Sequence, residues 1–505
     1  MDIGGHIPPL LVSLAFHGSL VYQLGGGGGG CAYWMACGLS SPIECSLMAQ
    51  ATAFITAMLR MASVLLLSLL PHATHAIGFA NGMKIGEVSD RSVVVWTRLT
   101  AIPEPINRAD DWTKDHPNWV APGLDGELRI RLTPTEGGKE RKQNEWQAVG
   151  AQSDHCLQFR FDALEPATRY EVQIEGRAAA DSGEVALLTG SFTTAPAATS
   201  DKPVFFTVST CQEFEQRDDK PNGHRIYHSM LAEKPQFFLQ TGDTVYYDRV
   251  EPLSTNIGLA RYRWQRMYGL PFQREFHRHV PTYWMHDDHD LLKNDCWPGQ
   301  SFGDLTWDQG VQVWKEQIPQ SQLPYRTFRW GRDVQIWLPE GRLFRSPNPM
   351  PDGPEKTILG KAQWQWLEQS LAASDATFKF YVSATPVVGP DRKGKNDNHA
   401  NEGFAYEGEK LRKLLHATPG VVVINGDRHW QYHSVDPVTG LNEFGCGPAS
   451  DSHAGGFSEK DRESWQRFLR IKGGYVSVRV DGGKAVLVHH AVDGEIVYRV
   501  TIEKP

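Results

Sequence analysis

The sequence predicts an α/β domain preceded by an antiparallel β-sandwich, and three observations carry that expectation. From Ile77 to about Thr194, short runs alternate apolar and polar residues with turn residues between them. After a small, turn-prone stretch at Thr193 to Ser200, longer apolar runs alternate with helical patterns. Four of those runs end in acidic, imidazole or thiol side chains, as strands of an open α/β sheet do where they deliver ligands at their C-terminal ends.

The chain has 505 residues and a formal net charge of -8, enough length for two or three domains and no electrostatic footprint for duplex nucleic acid. Residues 1–76 differ in composition from the rest, with a Gly25 to Gly30 run and almost no charge. From Met58, Arg60 supplies a positive start, Met61 to Leu70 an apolar core, and Ala73-Thr74-His75-Ala76 a small-residue end, the pattern of an export signal over 58–76. The stretch before Met58 is then expected to be an over-extended gene start. A membrane anchor is the alternative, but the apolar core falls short of the ~20 residues a span needs. Beyond the leader remain Cys156, Cys211, Cys296 and Cys446, too few for a disulfide framework.

The sandwich is expected over 77–200, with strands at Ser92–Arg98, Glu127–Leu132 and Tyr170–Ile174. Leu164 to Tyr170, leading into a strand, looks like the corner of a fibronectin type III-like module. No cluster of ligand-type residues falls here, so a structural or positioning role is expected. Residues 201–505 hold the chemistry. Lys361 to Ala373 places Trp364, Leu367 and Leu371 on one helical face, Phe378 to Val382 reads as a strand, and Gly474–Val480 with Ala485–Val488 closes the domain as antiparallel strands.

The four strand-end strings are Ser209-Thr210-Cys211, Gly242-Asp243-Thr244-Val245-Tyr246, His286-Asp287-Asp288-His289-Asp290 and Gly426-Asp427-Arg428-His429. Any one of them alone is ordinary turn chemistry; four in one domain point to a metal site. Facing one cavity, Asp243 is the natural carboxylate to bridge two cations. Cys211, Tyr246 and His429 suit Fe(III), while Asp288 and Asp427 suit a harder Ca(II), with Zn or Mn as alternatives. Such a pair would activate a water for attack on phosphorus, the chemistry of phosphoester hydrolysis. His289, expected to face away from Asp288, would serve as general acid or as an orienting group. Arg342 and Arg345 are candidate phosphate clamps, with a surface ion pair as the plainer reading of Arg345.

In these strings the chain resembles the PhoD-like alkaline phosphatases and phosphodiesterases of the calcineurin-like metallophosphoesterases. The resemblance covers most of 77–500 and rests on Ser209 to Gln212, the Gly-Asp-x-x-Tyr string ending at Asp248, and Asp287 to Asp290. It rests also on the Arg342 string, Leu359-Gly360-x-x-Gln363-Trp364, and Gly426 to Trp430. It implies a four-layer αββα domain, a secreted or periplasmic location, and an iron and calcium centre held by Cys211, Asp243, Tyr246, Asp288, Asp427 and His429. The substrate would be a phosphate mono- or diester, with a phospholipase D-like activity as the alternative. Glu340-Gly341 departs from the family's frequent Asp-Thr, and Asp391 to Lys393 with Asn396 to His399 suggests a substrate loop in which Asn398 and His399 bind substrate. Purple acid phosphatases share the Gly-Asp-x-x-Tyr logic, but Cys211 replaces their first aspartate. A secreted binding protein without turnover would show a lost ligand, and all six ligand positions are filled. No stable membrane anchor is expected.

Overall fold

The computed structural model describes residues 77–505 except 107–118, 136–140, 180–182 and 321–323. The leader and export signal expected within residues 1–76 lie outside the described residues.

Two large mixed sheets face each other. The first has nine strands, with strands numbered here in chain order. Its centre is parallel: β9 (Val204–Ser209), β10 (Phe237–Thr241) and β11 (Thr282–Met285). Antiparallel β21 (Tyr475–Asp481), β22 (Lys484–His490) and β23 (Ile496–Glu503) extend one side. On the other side the sheet continues into β1 (Met83–Gly86), β2 (Val93–Arg98) and β6 (Cys156–Phe161). The second sheet runs β14 (Arg326–Trp330), β15 (Val334–Leu338), β16 (Phe378–Ser383), β17 (Val421–Asn425), β19 (Asn442–Cys446), β18 (Gln431–Val435), β20 (Gln466–Arg470). Within it β15, β16, β17 and β19 are parallel.

The apolar runs are continuous because both faces of these strands are covered. Along β10, Phe237 and Leu239 enter the core between the sheets while Phe238 meets helices. Along β16, Phe378, Phe380 and Val382 face the other sheet and Tyr381 faces outward. The inner contact is aromatic: Phe206 stacks on Phe237 with ring centroids 4.7 Å apart and meets Phe380 edge-on at 5.2 Å.

Outside the nine-stranded sheet, α1 (Arg225–Glu233) and α3 (Pro271–His277) bury Tyr227 and Phe276 on Phe238. Beside them α2 (Ile257–Tyr268) and α4 (Trp307–Gln317) bury Trp264 and Trp314 with Trp284. A capping box of Thr306 and Gln309 starts α4 and satisfies two otherwise free amides. Outside the other sheet, α5 (Gly360–Ala372) and α6 (Ala405–Ala417) cover Trp337, Tyr381 and Val423. The four layers are therefore αββα, and α5 buries Trp364, Leu367 and Leu371 as its spacing predicts. A small hairpin, β12 (Ser301–Phe302) and β13 (Leu305–Thr306), precedes α4.

The N-terminal sandwich sets β1, β2 and β6 against a five-stranded sheet of β3 (Gly126–Pro134), β4 (Lys142–Gln143), β5 (Gln147–Val149), β7 (Arg169–Ala178) and β8 (Ala186–Thr193). Leu128, Ile130 and Leu132 of β3 point into the core and their neighbours outward, the expected half-solvated pattern. The Tyr170 hydroxyl accepts the Glu165 N–H at 3.0 Å, closing the corner anticipated at 164–170. In β2, however, both faces are buried, because α4 covers the second one: Trp96 Nε1 donates to the Glu316 carbonyl at 2.7 Å. Lys84 lies in the same seam, buried over the rings of Trp96 and Tyr268 at 3.6 and 3.8 Å, with its Nζ donating to the Gln317 carbonyl at 2.6 Å. Cys156, Cys211, Cys296 and Cys446 are buried and free.

Phe206 occupies the middle of the inter-sheet core, so Phe206→Ala should cost about 3–5 kcal/mol. The check is the denaturant midpoint of unfolding, and an unchanged midpoint would remove this aromatic contact from the account of stability.

Candidate metal centre

All four strings lie where parallel strands end. Cys211 follows β9, Asp243 follows β10, the 286–290 segment follows β11 and Asp427 follows β17. Both sheets therefore present these residues at one rim, and glycine allows the approach. A Cβ on Gly426 would sit 2.5 Å from the hydroxyls of both Thr210 and Thr241, and the Asp427 N–H instead donates to Thr210 Oγ1 at 3.3 Å. Gly242, at φ 106°, has its missing Cβ 2.7 Å from Asp287 Cβ. Cys211, Asp243 and Asp427 themselves have φ of 48°, 54° and 62°, a left-handed conformation that costs a non-glycine residue about 1–3 kcal/mol and clusters at functional sites. Hydrogen bonds across the strand ends hold it: Cys211 N–H to the Gly242 carbonyl, 3.1 Å, and Gln212 N–H to the Asp243 carbonyl, 2.9 Å.

Three sets of donor atoms, each within 4.8 Å of one another, occur among the described residues. They are Cys211–Asp243–His429, Asp243–Asp288–His289 and Asp243–Asp287–Asp427. Asp243 belongs to all three. Its Oδ2 accepts from the Tyr246 hydroxyl at 3.0 Å and the Cys211 thiol at 3.4 Å, while its buried Oδ1 has no hydrogen-bond partner. A buried, unpartnered carboxylate oxygen also occurs on Asp287. Such atoms are costly unless a cation or proton meets them, so the donor set fits metal ions.

The charges agree with that fit. Burial, then the Asp288 and Asp287 carboxylates, raise Asp243 to about 7. Burial pushes the Cys211 thiol well up, reinforced by Asp243. Burial would raise Asp288 too, but Arg342, His289 and the Asp295 amide outweigh it and hold that carboxylate well below its usual range. Burial would lower His289, yet Asp288, Asp243 and Asp248 raise it to about 10. Burial keeps His429 neutral, first among causes, leaving a lone pair for ligation; its Nε2 is 3.4 Å from the Tyr246 hydroxyl.

The structure thus brings together Cys211, Asp243, Tyr246, Asp288, Asp427, His429 and His289. Two details differ from the expectation. Asp427 groups with Asp287, and His289 lies on the same side as Asp288 instead of opposite it. Strand alternation stops at Met285, because the Asp290 carboxylate accepts the N–H groups of Asp287 and Val245 at 2.9 and 3.0 Å and winds 286–290 into a turn. Arg342 is buried, with Nε donating to Asp287 and Nη2 3.8 Å from both Asp288 and Asp397, and neither Nη1 nor Nη2 has a hydrogen-bond partner. Arg345 is buried rather than superficial, donating to Asn348 Oδ1 at 2.7 Å and the Asp397 carbonyl at 2.6 Å. Asn398 donates to Asp391 at 2.7 Å, and His399 turns its Nε2 to Glu407 of α6, 3.3 Å away, not to the candidate ligands.

Sequence reasoning passed over three contributors. Asp248 takes the His289 Nδ1 contact at 2.5 Å and so orients that ring. Its place at the end of the Gly-Asp-x-x-Tyr string was the available signal. His453 has its ring centroid 4.0 Å from that of His429, the planes tilted by 48°, and contacts the Cys211 carbonyl through Nδ1 at 3.1 Å. It sits alone at the end of a single 3₁₀ turn, Asp451–His453, and no spacing marks it. Arg428, completely buried against Asp391 at 2.8 Å and touching Asp427, lay inside a recognised string but reads there as a spacer.

An αββα sandwich of sheets with an acidic, imidazole and thiol rim is the architecture of the metallophosphoesterases. The model of the PhoD-like phosphatase family matches residues 206–472, and that of the PhoD-like phosphatase N-terminal domain matches 67–196. The chain belongs to the PhoD-like phosphatase family. It is 23% identical over 410 residues to alkaline phosphatase D of Bacillus subtilis (strain 168), a match that takes in 70% of this chain and spans 65% of that relative's length. Among solved structures, PhoD superposes with a TM-score of 0.69 at 18% identity, over 86% of this chain and 91% of that one. A purple acid phosphatase, PPD1 from yellow lupin (Lupinus luteus) seeds, gives 0.60 at 13% identity, over 83% and 74%. Both likenesses show the fold.

The raised Asp243 and Cys211 groups make metal uptake pH-dependent. A cation must displace the thiol proton throughout, and below about pH 7 the Asp243 proton as well. Affinity of the metal-free protein for Zn(II) should therefore rise at least roughly tenfold per pH unit above 7 and at least roughly a hundredfold per unit below it, more steeply still where the Tyr246 proton is also displaced. Calorimetry in buffers of different ionisation enthalpy counts the released protons, and a pH-independent affinity would contradict ligation by these two groups.

Proposed function

We propose that this protein is a metal-dependent phosphoric ester hydrolase with a centre of at least two cations bridged by Asp243. The observation that carries the reading is the membership of Asp243 in all three donor sets, the position a shared carboxylate must hold. Cys211, Tyr246 and His429 form the side suited to Fe(III), and Asp287, Asp288 and Asp427 the oxygen-rich side suited to Ca(II), with Zn or Mn as substitutes. When bound, the cations supply Lewis acidity toward the phosphate and lower the pKa of a coordinated water.

The protein's own groups do the rest. Arg342 balances Asp287 through Nε and Asp288 through Nη2, and keeps Nη1 for a phosphate oxygen. Asp248 fixes the His289 ring by its Nδ1, and the surrounding carboxylates keep the imidazole protonated, so His289 delivers a proton to the leaving oxygen. Cations bound beside it would lower that pKa and ease release of the proton. Asp427 and His429 are the least buried members of the sets, so substrate enters over them. Residues 58–76 would direct export, leaving 77–200 as a positioning sandwich and 201–505 as the catalytic part. Among the described residues no helix is long and apolar enough to cross a membrane.

Metal analysis together with hydrolysis of a chromogenic phosphomonoester and a phosphodiester tests the proposal. Hydrolysis of at least one, lost on chelation and restored by metal, is expected; hydrolysis of neither by the metal-replete protein would overturn it. Asp243→Asn should lower kcat by roughly 10³-fold, the scale of losing a main electrostatic support of the transition state, and near-normal turnover in a fully metallated variant would take Asp243 out of the bridge. A thiolate and phenolate on one Fe(III) should give a visible charge-transfer band. Cys211→Ala should bleach that band and release iron with little change in far-UV circular dichroism, and retention of colour and iron would make Cys211 structural.

A further inference from the structure

Resting on this reading of the centre, we propose that Gln363 of α5 is a positioning residue, setting Arg342 and through it Asp287 from the opposite side of the sheet. From Pro339 to Leu359 the chain forms no helix or strand, so no backbone ladder fixes Arg342. Side-chain hydrogen bonds do so instead. The amide of Gln363 grips the Glu340 peptide at both ends: Oε1 accepts the Glu340 N–H at 2.7 Å, and Nε2 donates to the Glu340 carbonyl at 2.8 Å. Nε2 also donates to the Leu359 carbonyl at 2.9 Å, which anchors the amide to its own helix. Glu340 passes the constraint on, its carboxylate accepting the N–H groups of Arg342 at 2.8 Å and Leu343 at 2.6 Å. Arg342 Nε then meets Asp287, a member of one donor set.

The chemistry suits positioning. Gln363 is 1% exposed, and its three hydrogen bonds employ both ends of the amide. On the buried face of α5 its neighbours are Trp364, Leu367 and Leu371, so an apolar residue would fill the place if packing were its only task. A glutamine there supplies one acceptor and two donors at fixed geometry, and it fits the conspicuous Leu359-Gly360-x-x-Gln363-Trp364 string to a task. It touches no candidate ligand, so its action runs through Arg342.

A double-mutant cycle tests the relay. Wild type, Gln363→Leu, Arg342→Ala and the double variant are compared for kcat and KM on the chromogenic ester and, separately, for Zn(II) affinity of the metal-free protein. Gln363→Leu should lower kcat roughly 10–100-fold and weaken Zn(II) by roughly tenfold, the range for partners that orient metal ligands, with KM little changed. Gln363→Glu, which keeps the acceptor and loses the donors, should fall between and serves in its place should the leucine variant not fold. In the Arg342→Ala background the substitution at Gln363 should have no further effect. Equal effects in both backgrounds, or no loss of kcat and Zn(II) affinity at all, would overturn the inference. The zinc arm reads the relay even if no ester is hydrolysed, an outcome that would instead overturn the phosphoesterase reading.

Discussion

The rest of this structure depends on how closely two β-sheets approach at their strand ends. Gly426 of one sheet sits against Thr210 and Thr241 of the other with no room for a methyl group, and donors from both sheets meet only because of that contact. Parallel strands make the meeting possible, since β9, β10, β11 and β17 all end at the same rim. Sharp left-handed turns at Cys211, Asp243 and Asp427 then bring the donor atoms inward from strands that would otherwise carry them past one another. Beneath the irregular backbone of the rim lies a closely packed aromatic layer, Phe206, Phe237 and Phe380.

Within the rim, burial is nearly uniform and the partners differ. Asp243 and Asp288 are both buried, yet their carboxyls shift in opposite directions: burial would raise both and His289 favours the ionised form of both, but Arg342 and the Asp295 amide add to it at Asp288, while Asp243 meets the Asp288 and Asp287 carboxylates. The protein supplies enough positive charge to ionise part of the cluster and leaves the remainder to be met by cations. Such a division keeps the polar groups from collapsing onto one another, since a fully self-compensated cluster would have no reason to accept metal.

Much of this was legible in the sequence, for physical reasons that also mark the limit. Strands buried on both faces read as unbroken apolar runs, and polar residues at their exits stand out, which is why Cys211, Asp243, Asp288 and Asp427 were visible together. The helix at α5 and the corner at Tyr170 follow from local periodicity and local hydrogen bonding. Grouping within the rim was not legible, since the turn wound by Asp290 depends on an amide of Val245 from another strand end. His453 reaches Cys211 from 242 residues away, and its segment has no periodicity to mark it. The second buried face of β2 likewise depends on α4, 220 residues further on, so its strand resembled a half-exposed one.

The seam around Lys84 has a consequence for how this molecule can be divided. The N-terminal strands share a sheet with the C-terminal ones, one hydrophobic core runs through Val95, Ile130, Phe206 and Phe380, and α4 lies across the junction. Cutting the chain after the sandwich would leave β11 as a bare sheet edge beside a wide apolar face, the kind of surface that recruits other chains into aggregates. The two parts share one sheet and one core, so recombination between relatives at the interdomain stretch would have to carry both sides of the seam together.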